Sequence, residues 1–323
     1  MIQLSIQNYE DIFFTPIDKN SLPLAKINFV PGIEVFRSRN SFGEIIFQFG
    51  NFSNYKFWRT LITVEEDFTL HANTKLPWLG FRIMLQNHLR HNFGNNVIYI
   101  LQGQVNYAEL QEVNTSFFLK KGMTYECFDI YLDQEFLQTF NREELANQEF
   151  LNFKDVTDRI SKRPAWAGIK TLEAIEDFIQ NPGDIMLARK LISEIINSIT
   201  KPLPEVTIHE NKLEAIFKVK EYIKINFLSN APVNIWASLA NLNITYFKQY
   251  FKIVFGISPY HYLIHVRLKT VKTLLLNEPF LTYKEIASRS GFSTYNNLRR
   301  AFRNAENMSM EEWKTEMKNK NLY

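Results

Sequence analysis

The sequence has almost no cysteine. Cys127 is the single one in 323 residues, which excludes an internal disulfide framework and fits a reducing compartment. Long apolar runs are missing too. Blocks such as VIYIL (97–101) are far shorter than the ~20 residues a bilayer-spanning helix needs. The opening MIQLSIQNYEDIFF has no basic stretch ahead of an apolar block, so no secretory signal is expected. A soluble, cytoplasmic protein with no membrane partner is the expectation. What is present, 46% hydrophobic and 22% charged residues, describes a folded chain rather than a disordered one. The length suffices for two domains, each with its own core.

Charge is unevenly placed along the chain. Residues 206–323 hold 17 Lys and Arg against 9 Asp and Glu, a net of +8. Residues 1–205 hold 20 against 25, a net of −5, which together give the overall +3. A basic last third on an acidic remainder points to a polyanionic partner for that third; a solvated basic surface is the plainer alternative.

Residues 30–132 read as strands. EIIFQF (44–49), FWRTLITV (57–64), GFRIML (80–85), NVIYIL (96–101), TSFFLK (115–120) and ECFDIYL (126–132) are short, rich in Ile, Val, Phe and Tyr, and punctuated by glycines. Such spacing predicts a sandwich or barrel rather than a parallel sheet. In the last of them Phe128, Ile130 and Leu132 share one face, with Cys127, Asp129 and Tyr131 on the other. That second face is left to line a cavity or meet solvent.

From 133 to 200 the period becomes helical. Ile185, Ala188, Leu191, Ile192, Ile195, Ile196 and Ile199 form a wide apolar stripe at three- and four-residue steps. It suits a dimer contact or packing within one protomer. KPLPEVTIHENK (201–212), with two prolines, reads as a linker. Everything beyond it reads helical.

The sites that enzymes need are not evident. His71, His88 and His91 lack the close His and Glu spacing of a metal cluster, and His88 with His91 is expected at the surface. The pair His261 and His265 receives the same reading. Cys127 has no companion histidine and reads as a buried core thiol. GNFSNYKF (50–57) lacks phosphate-loop spacing. No catalytic residue, metal or cofactor is expected.

One stretch does carry a design. In EIASRSGFSTYNNLRRAF (285–302) a short helix breaks at Gly291, and a second begins after Ser293 and Thr294. The same device stands about fifty residues earlier, in IWASLANLNITYFKQYF (235–251). Trp236-Ala237 matches Ile286-Ala287. Asn241 matches Gly291, where positive φ is needed. Leu242 matches Phe292, and Asn243 matches Ser293, or Thr294 because the second copy is one residue longer. Phe247, Tyr250 and Phe251 are read as buried in the first copy, with Leu298, Ala301 and Phe302 in the second. Outward lie Thr245, Lys248 and Gln249, then Tyr295, Asn296, Arg299 and Arg300. This is the layout of a helix-turn-helix, whose second helix enters the major groove. Arg is suited to guanine, and Asn and Gln to adenine. Two copies with one polar outward face argue against a pair of ordinary helical hairpins.

The segment 213–317 resembles the DNA-binding domain of the AraC/XylS family of bacterial transcription regulators. FGISPYHYLIHVRLKTVKTLLL (255–276) and LTYKEIASRSGFSTYNNLRRAFRNAENMSMEEWK (281–314) carry the resemblance. Three departures stand out: Asn241 for a frequent Gly, Val271 for the usual Ala, and AENMSM where FGISP has its glycine and proline. The resemblance implies a rigid helix at about 259–276, reading helices about one DNA turn (~34 Å) apart, and RNA polymerase as a partner. It further implies an α+β multidomain protein. A cupin-like β-sandwich or barrel (1–132) would sense a small-molecule effector, and a helical region (133–200) would pack or form a homodimer. The linker (201–212) would lead to an all-α double helix-turn-helix on double-stranded DNA. An activator is the expectation. The alternative is a small-molecule binder or enzyme in the β-domain, with the helical tail a protein-interaction module.

Overall fold

The computed structural model describes residues 3–6, 10–17, 29–75, 77–93, 96–140, 159–160, 163–201 and 206–320. The chain divides into two compact units, Met1–Glu210 and Asn211–Tyr323.

The first unit is built on strands. In chain order they are β1 (Gln3–Ile6), β2 (Glu10–Asp11), β3 (Thr15–Ile17), β4 (Val35–Asn40), β5 (Gly43–Asn51), β6 (Tyr55–Val64) and β7 (Phe68–Thr74). There follow β8 (Trp78–Gln86), β9 (Leu89–Phe93), β10 (Asn96–Ile100), β11 (Gln104–Leu110), β12 (Val113–Leu119) and β13 (Thr124–Leu132). Two two-residue strands, β14 (Arg159–Ile160) and β15 (Ala165–Trp166), come last. They form one sheet in the order β10-β9-β12-β7-β1-β2 and another in the order β14-β11-β8-β13-β6-β5-β4-β3, with β15 also on β11. Among the described residues neither order closes on itself, so the architecture there is an open two-sheet sandwich and not a barrel.

Strand alternation assigns the larger sheet two different neighbours. Ile45, Ile62, Val64, Met84 and Tyr125 turn toward the smaller sheet and join Phe68, Leu70, Leu89, Ile100, Phe117 and Leu119 in one core. The opposite face, with Tyr55, Phe57, Phe81, Ile83, Phe128, Ile130 and Leu132, packs on helices. These are α1 (Gln134–Gln138), α2 (Gly168–Gln180) and α3 (Ile185–Ile199). Phe178 of α2 sets its ring edge-on to Phe57 at 5.3 Å and to Phe128 at 5.8 Å. Asp184 caps α3 by accepting from the N–H of Met186 at 2.8 Å. The stripe on α3 is used within the protomer: Ala188, Leu191, Ile192, Ile195 and Ile196 are all buried in the same core. Periodicity displayed the stripe but could not say which surface covers it.

The region expected to be helical, 133–200, also holds β14 and β15; residues 141–158 and 161–162 fall outside the described part. Of the expected linker, residues 202–205 do as well. Its last three residues are helical, because α4 (Glu210–Ile225) begins at Glu210.

The second unit is all helix. α5 (Val233–Leu239) and α6 (Ile244–Phe255) precede α7 (Pro259–Asn277), and α8 (Tyr283–Arg289), α9 (Tyr295–Glu306) and α10 (Met310–Lys320) follow it. Aromatic packing holds the first half, with Phe251 4.6 Å from Phe255 and 5.8 Å from Tyr262, and Phe217 of α4 5.0 Å from Phe255. In the second half Leu268, Val271 and Leu275 of α7 pack with Ile286, Phe292, Leu298, Phe302 and Trp313.

Because Ile192 is fully buried under the larger sheet, Ile192→Ala should lower the stability of the first unit by about 2–5 kcal/mol. Urea unfolding followed by the fluorescence of its tryptophans measures this, and an unchanged midpoint would contradict the packing described.

Candidate nucleic-acid interface

Both short helices of the second unit end in the same way. In the first copy the N–H of Ala240 donates to Trp236 O at 3.1 Å and that of Leu242 to Ala237 O at 3.0 Å. In the second copy Ser290 donates to Ile286 O at 3.0 Å and Phe292 to Ala287 O at 2.9 Å. Closing a helix like this requires a left-handed residue just past its end. Asn241 (φ 51°) and Gly291 (φ 80°) supply it. Asn241 thus replaces glycine without changing the turn.

Each second helix then starts on a cap. Asn243 accepts from the N–H of Tyr246 at 2.9 Å. In the other copy the cap is Thr294, which accepts from the N–H of Asn297 at 3.2 Å. Ser293, the other residue offered for this role, is the inserted one; its hydroxyl instead accepts from the Asn297 side chain at 2.9 Å. The copies correspond again at the helix ends. Gly256 (φ 74°) and Asn307 (φ 57°) both close their helices in the left-handed conformation. Ser258 then caps α7, and Ser309 starts α10. Asn307 therefore does in AENMSM what Gly256 does in FGISP. Met310 and Trp313 are buried, so α10 is seated without the proline. Val271, in place of a smaller residue, is also fully buried.

With caps aligned, equivalent positions on α6 and α9 carry the polar side chains: Thr245 with Asn296, Lys248 with Arg299, and Gln249 with Arg300. All six are exposed. Between them Phe247 and Leu298 are fully buried, as are Phe251 and Phe302 one turn on. Among the described residues neither Lys248, Arg299 nor Arg300 enters an ion pair, in contrast to Arg289, held to Glu278 at 2.7 Å, and Lys272, held to Glu306 at 2.8 Å. Tyr295 departs from its expected place: it is half-buried, stacks on Tyr283 at 5.8 Å and joins the core of the second half. Ala301 is only half-buried. The alignment also brings out Tyr246 (51% exposed) at the position of Asn297, with the ring stacked on Tyr250 at 5.8 Å. Sequence reading passed over Tyr246 because an aromatic residue next to buried Phe247 reads as core.

Carboxylates support the same framework. Glu285 accepts from the Thr282 N–H at 2.8 Å and completes a capping box at α8. Glu312 accepts from the Ser309 N–H at 2.7 Å. These backbone bonds, with the hydroxyls beside them, hold both carboxyls below the usual carboxylate range.

The histidines and the cysteine lie elsewhere. His91 is 5% exposed, on β9 with its ring 4.2 Å from Phe117, not at the surface as expected. Its strand is half covered by the facing sheet, which the two-histidine spacing could not reveal. Burial and then the nearby Arg82 guanidinium hold its pKa well below the ordinary value. His88 is also largely shielded and stands 3.3 Å from Glu210. Burial, then Asp129, pushes the Cys127 thiol up to about 12. Among the described residues no group of three His, Cys, Asp or Glu is placed to hold a metal ion, and no helix is long and apolar enough to cross a membrane.

Two turns of one build, each offering the exposed face of a capped helix, define a double helix-turn-helix, a class of DNA-binding domain. Residues 236–316 match the family model described as a helix-turn-helix domain. Over those residues the chain carries an AraC-type helix-turn-helix domain, a DNA-binding module. Among solved structures, the DNA-binding domain of AdpA in complex with a target DNA is 22% identical, over 33% of this chain and 95% of that one, with a TM-score of 0.31. The C-terminal domain of AraT, a response regulator from Geobacillus stearothermophilus, is 26% identical over 31% and 84%, with a TM-score of 0.30. ToxT from Vibrio cholerae O395 is 13% identical over 80% of this chain and 98% of that one, with a TM-score of 0.31. Comparison with curated proteins returned no match.

Two outcomes follow from this geometry. Arg300→Ala should weaken binding by about 1–3 kcal/mol at the cognate site and much less on random DNA, in parallel titrations of both. Equal losses would show that Arg300 grips phosphate only. Because the folded-state pKa values of Glu285 and Glu312 are depressed, their support is present above the unfolded carboxylate pKa and is lost as pH falls through the folded value. The protection factor of the Thr282 amide, taken against the intrinsic exchange rate at each pH, should therefore fall on acidification, and Glu285→Gln should flatten that dependence.

Proposed function

We propose that this protein is a sequence-specific transcription activator of the cytoplasm whose first unit senses a small molecule. The observation that carries the DNA reading is the equivalence of Thr245, Lys248 and Gln249 with Asn296, Arg299 and Arg300. A helix face that presents amide and guanidinium groups at matched positions twice is suited to reading two successive major-groove segments. Tyr295 keeps a smaller part in this reading, since its ring is shared with the core. The activator assignment includes a contact with RNA polymerase, and a homodimer would have to use a surface other than the α3 stripe.

The sensing part of the reading is supported by the inner face of the larger sheet. Arg82 and Asp129 pair there at 2.6 Å, with Asp129 buried. Asn106, on β11 opposite Arg82, is 3% exposed, and its side-chain oxygen has no hydrogen-bond partner among the described residues. Half-buried aromatic rings continue the face: Phe49 is 5.0 Å from Trp58, Trp58 5.1 Å from Trp78, and Trp78 5.8 Å from Tyr131. A cupin-like sensor domain with an apolar or aromatic effector bearing one polar group suits these residues.

The test is capture of genomic fragments by the full chain, followed by titration of the most enriched fragment against a scrambled copy at rising salt. A large ratio that persists as salt rises is the expected result, because base contacts outlast the counterion term. Parallel loss on both DNAs would sink the reading.

A further inference from the structure

The connecting helix carries one buried charge. Arg267 is 5% exposed and sits near the middle of the 19-residue helix α7. Its Nε donates to Phe227 O at 2.8 Å, and one terminal nitrogen donates to Ser229 O at 3.1 Å and to Asn230 Oδ1 at 3.0 Å. All three acceptors belong to the segment between α4 and α5, the scaffold of the first helix-turn-helix. The same guanidinium lies 5.8 Å over the ring of Phe292, in the turn of the second. Gly291 is closer still: a Cβ there would stand 2.9 Å from Arg267 Nε and 3.0 Å from Phe227 O. One side chain therefore touches both reading units, and the scaffold of one touches the turn of the other.

A helix joined only at its two ends would let each unit rock about its own end. A contact at the helix centre that holds both removes that freedom. Arginine suits the task because its planar fork addresses several oxygens of one turn at once and stays charged when buried. All three acceptors are neutral oxygens, so the charge serves to strengthen these hydrogen bonds. We propose that Arg267 is a positioning residue for spacing: it locks the two reading helices so that the protein accepts paired half-sites at one separation. This rests on the DNA-binding reading above and adds to it a residue that touches no base.

The experiment is selection from random double-stranded DNA with the full chain, its Arg267→Met variant and its Asn230→Ala variant. Each recovered pool is read for its two half-site motifs and for their separation. Wild type should return both motifs at one separation. Arg267→Met should return the same motifs, with the preference for that separation over one base pair more or less reduced by about tenfold, the scale of a lost hydrogen bond from a charged group. Asn230→Ala, which removes one acceptor, should shift the distribution in the same direction by less. Folded variants that keep the wild-type separation overturn the proposal, as does a uniform loss of binding at every separation, which marks a purely structural role. Should Arg267→Met not fold, Asn230→Ala decides: a broadened distribution supports the clamp, an unchanged one overturns it. If wild type enriches no motif, the DNA reading itself fails and the clamp with it. A single motif without a partner leaves the DNA reading standing and overturns the clamp.

Discussion

The second unit depends on a backbone constraint met twice, a left-handed residue placed where a short helix must stop so that the next can leave at an angle. At Asn241 and Gly291 that residue lets the N–H three positions past the last helical residue bond back to a carbonyl of its last turn, and in the second copy the side chain of that residue, Phe292, drops into the core. The exit direction of each second helix follows from this. Caps then fix where the helix starts and hence which side chains face out. At Gly291 the constraint is doubled, because the conformation disfavours a side chain and the approach of Arg267 and Phe227 leaves no room for one. Asn241 has only the first requirement, and asparagine meets it.

The two units solve burial differently. In the first, the larger sheet is the middle layer of three, covered on one face by the smaller sheet and on the other by α2 and α3. Its inner face therefore mixes a dense apolar zone with the Arg82–Asp129 pair and a row of half-buried rings. In the second, short helices have little surface each, and stability comes from stacked aromatics and from the long helix they share. Buried charge appears in both, and in each case the guanidinium is held by several oxygens or by a carboxylate, as burial requires.

Much of the second unit was legible because its signals are local. The spacing of Trp236, Asn241 and Asn243, and of Ile286 and Gly291, is set by backbone geometry within a few residues. The assignment of the cap was less secure: Ser293 and Thr294 are both capping types, and only the hydrogen bond to Asn297 separates them. Tyr295 shows the same limit, since an N-terminal helix position can face DNA or lean on a neighbour such as Tyr283. In the first unit the long alternating strands were evident, whereas Val35–Asn40, Phe68–Thr74, Leu89–Phe93 and Gln104–Leu110 were not. Polar residues such as Arg37, His71, Asn92 and Asn106 interrupt their apolar runs, and β7 pairs with β1 and β12, both far away in sequence.

The sequence by itself determined the order of the chain, the two helix-turn-helix copies and the polarity of their outward faces. These follow from chirality, capping and helical period, which act over one or two turns. The tertiary structure decided what covers each apolar face: that the α3 stripe is spent within the protomer, and that His91 is enclosed between sheets. It also decided that Arg267 bridges segments forty residues apart on one side and the turn at Gly291 on the other. Burial and side-chain partnership are set by packing between distant segments, which no short-range pattern encodes.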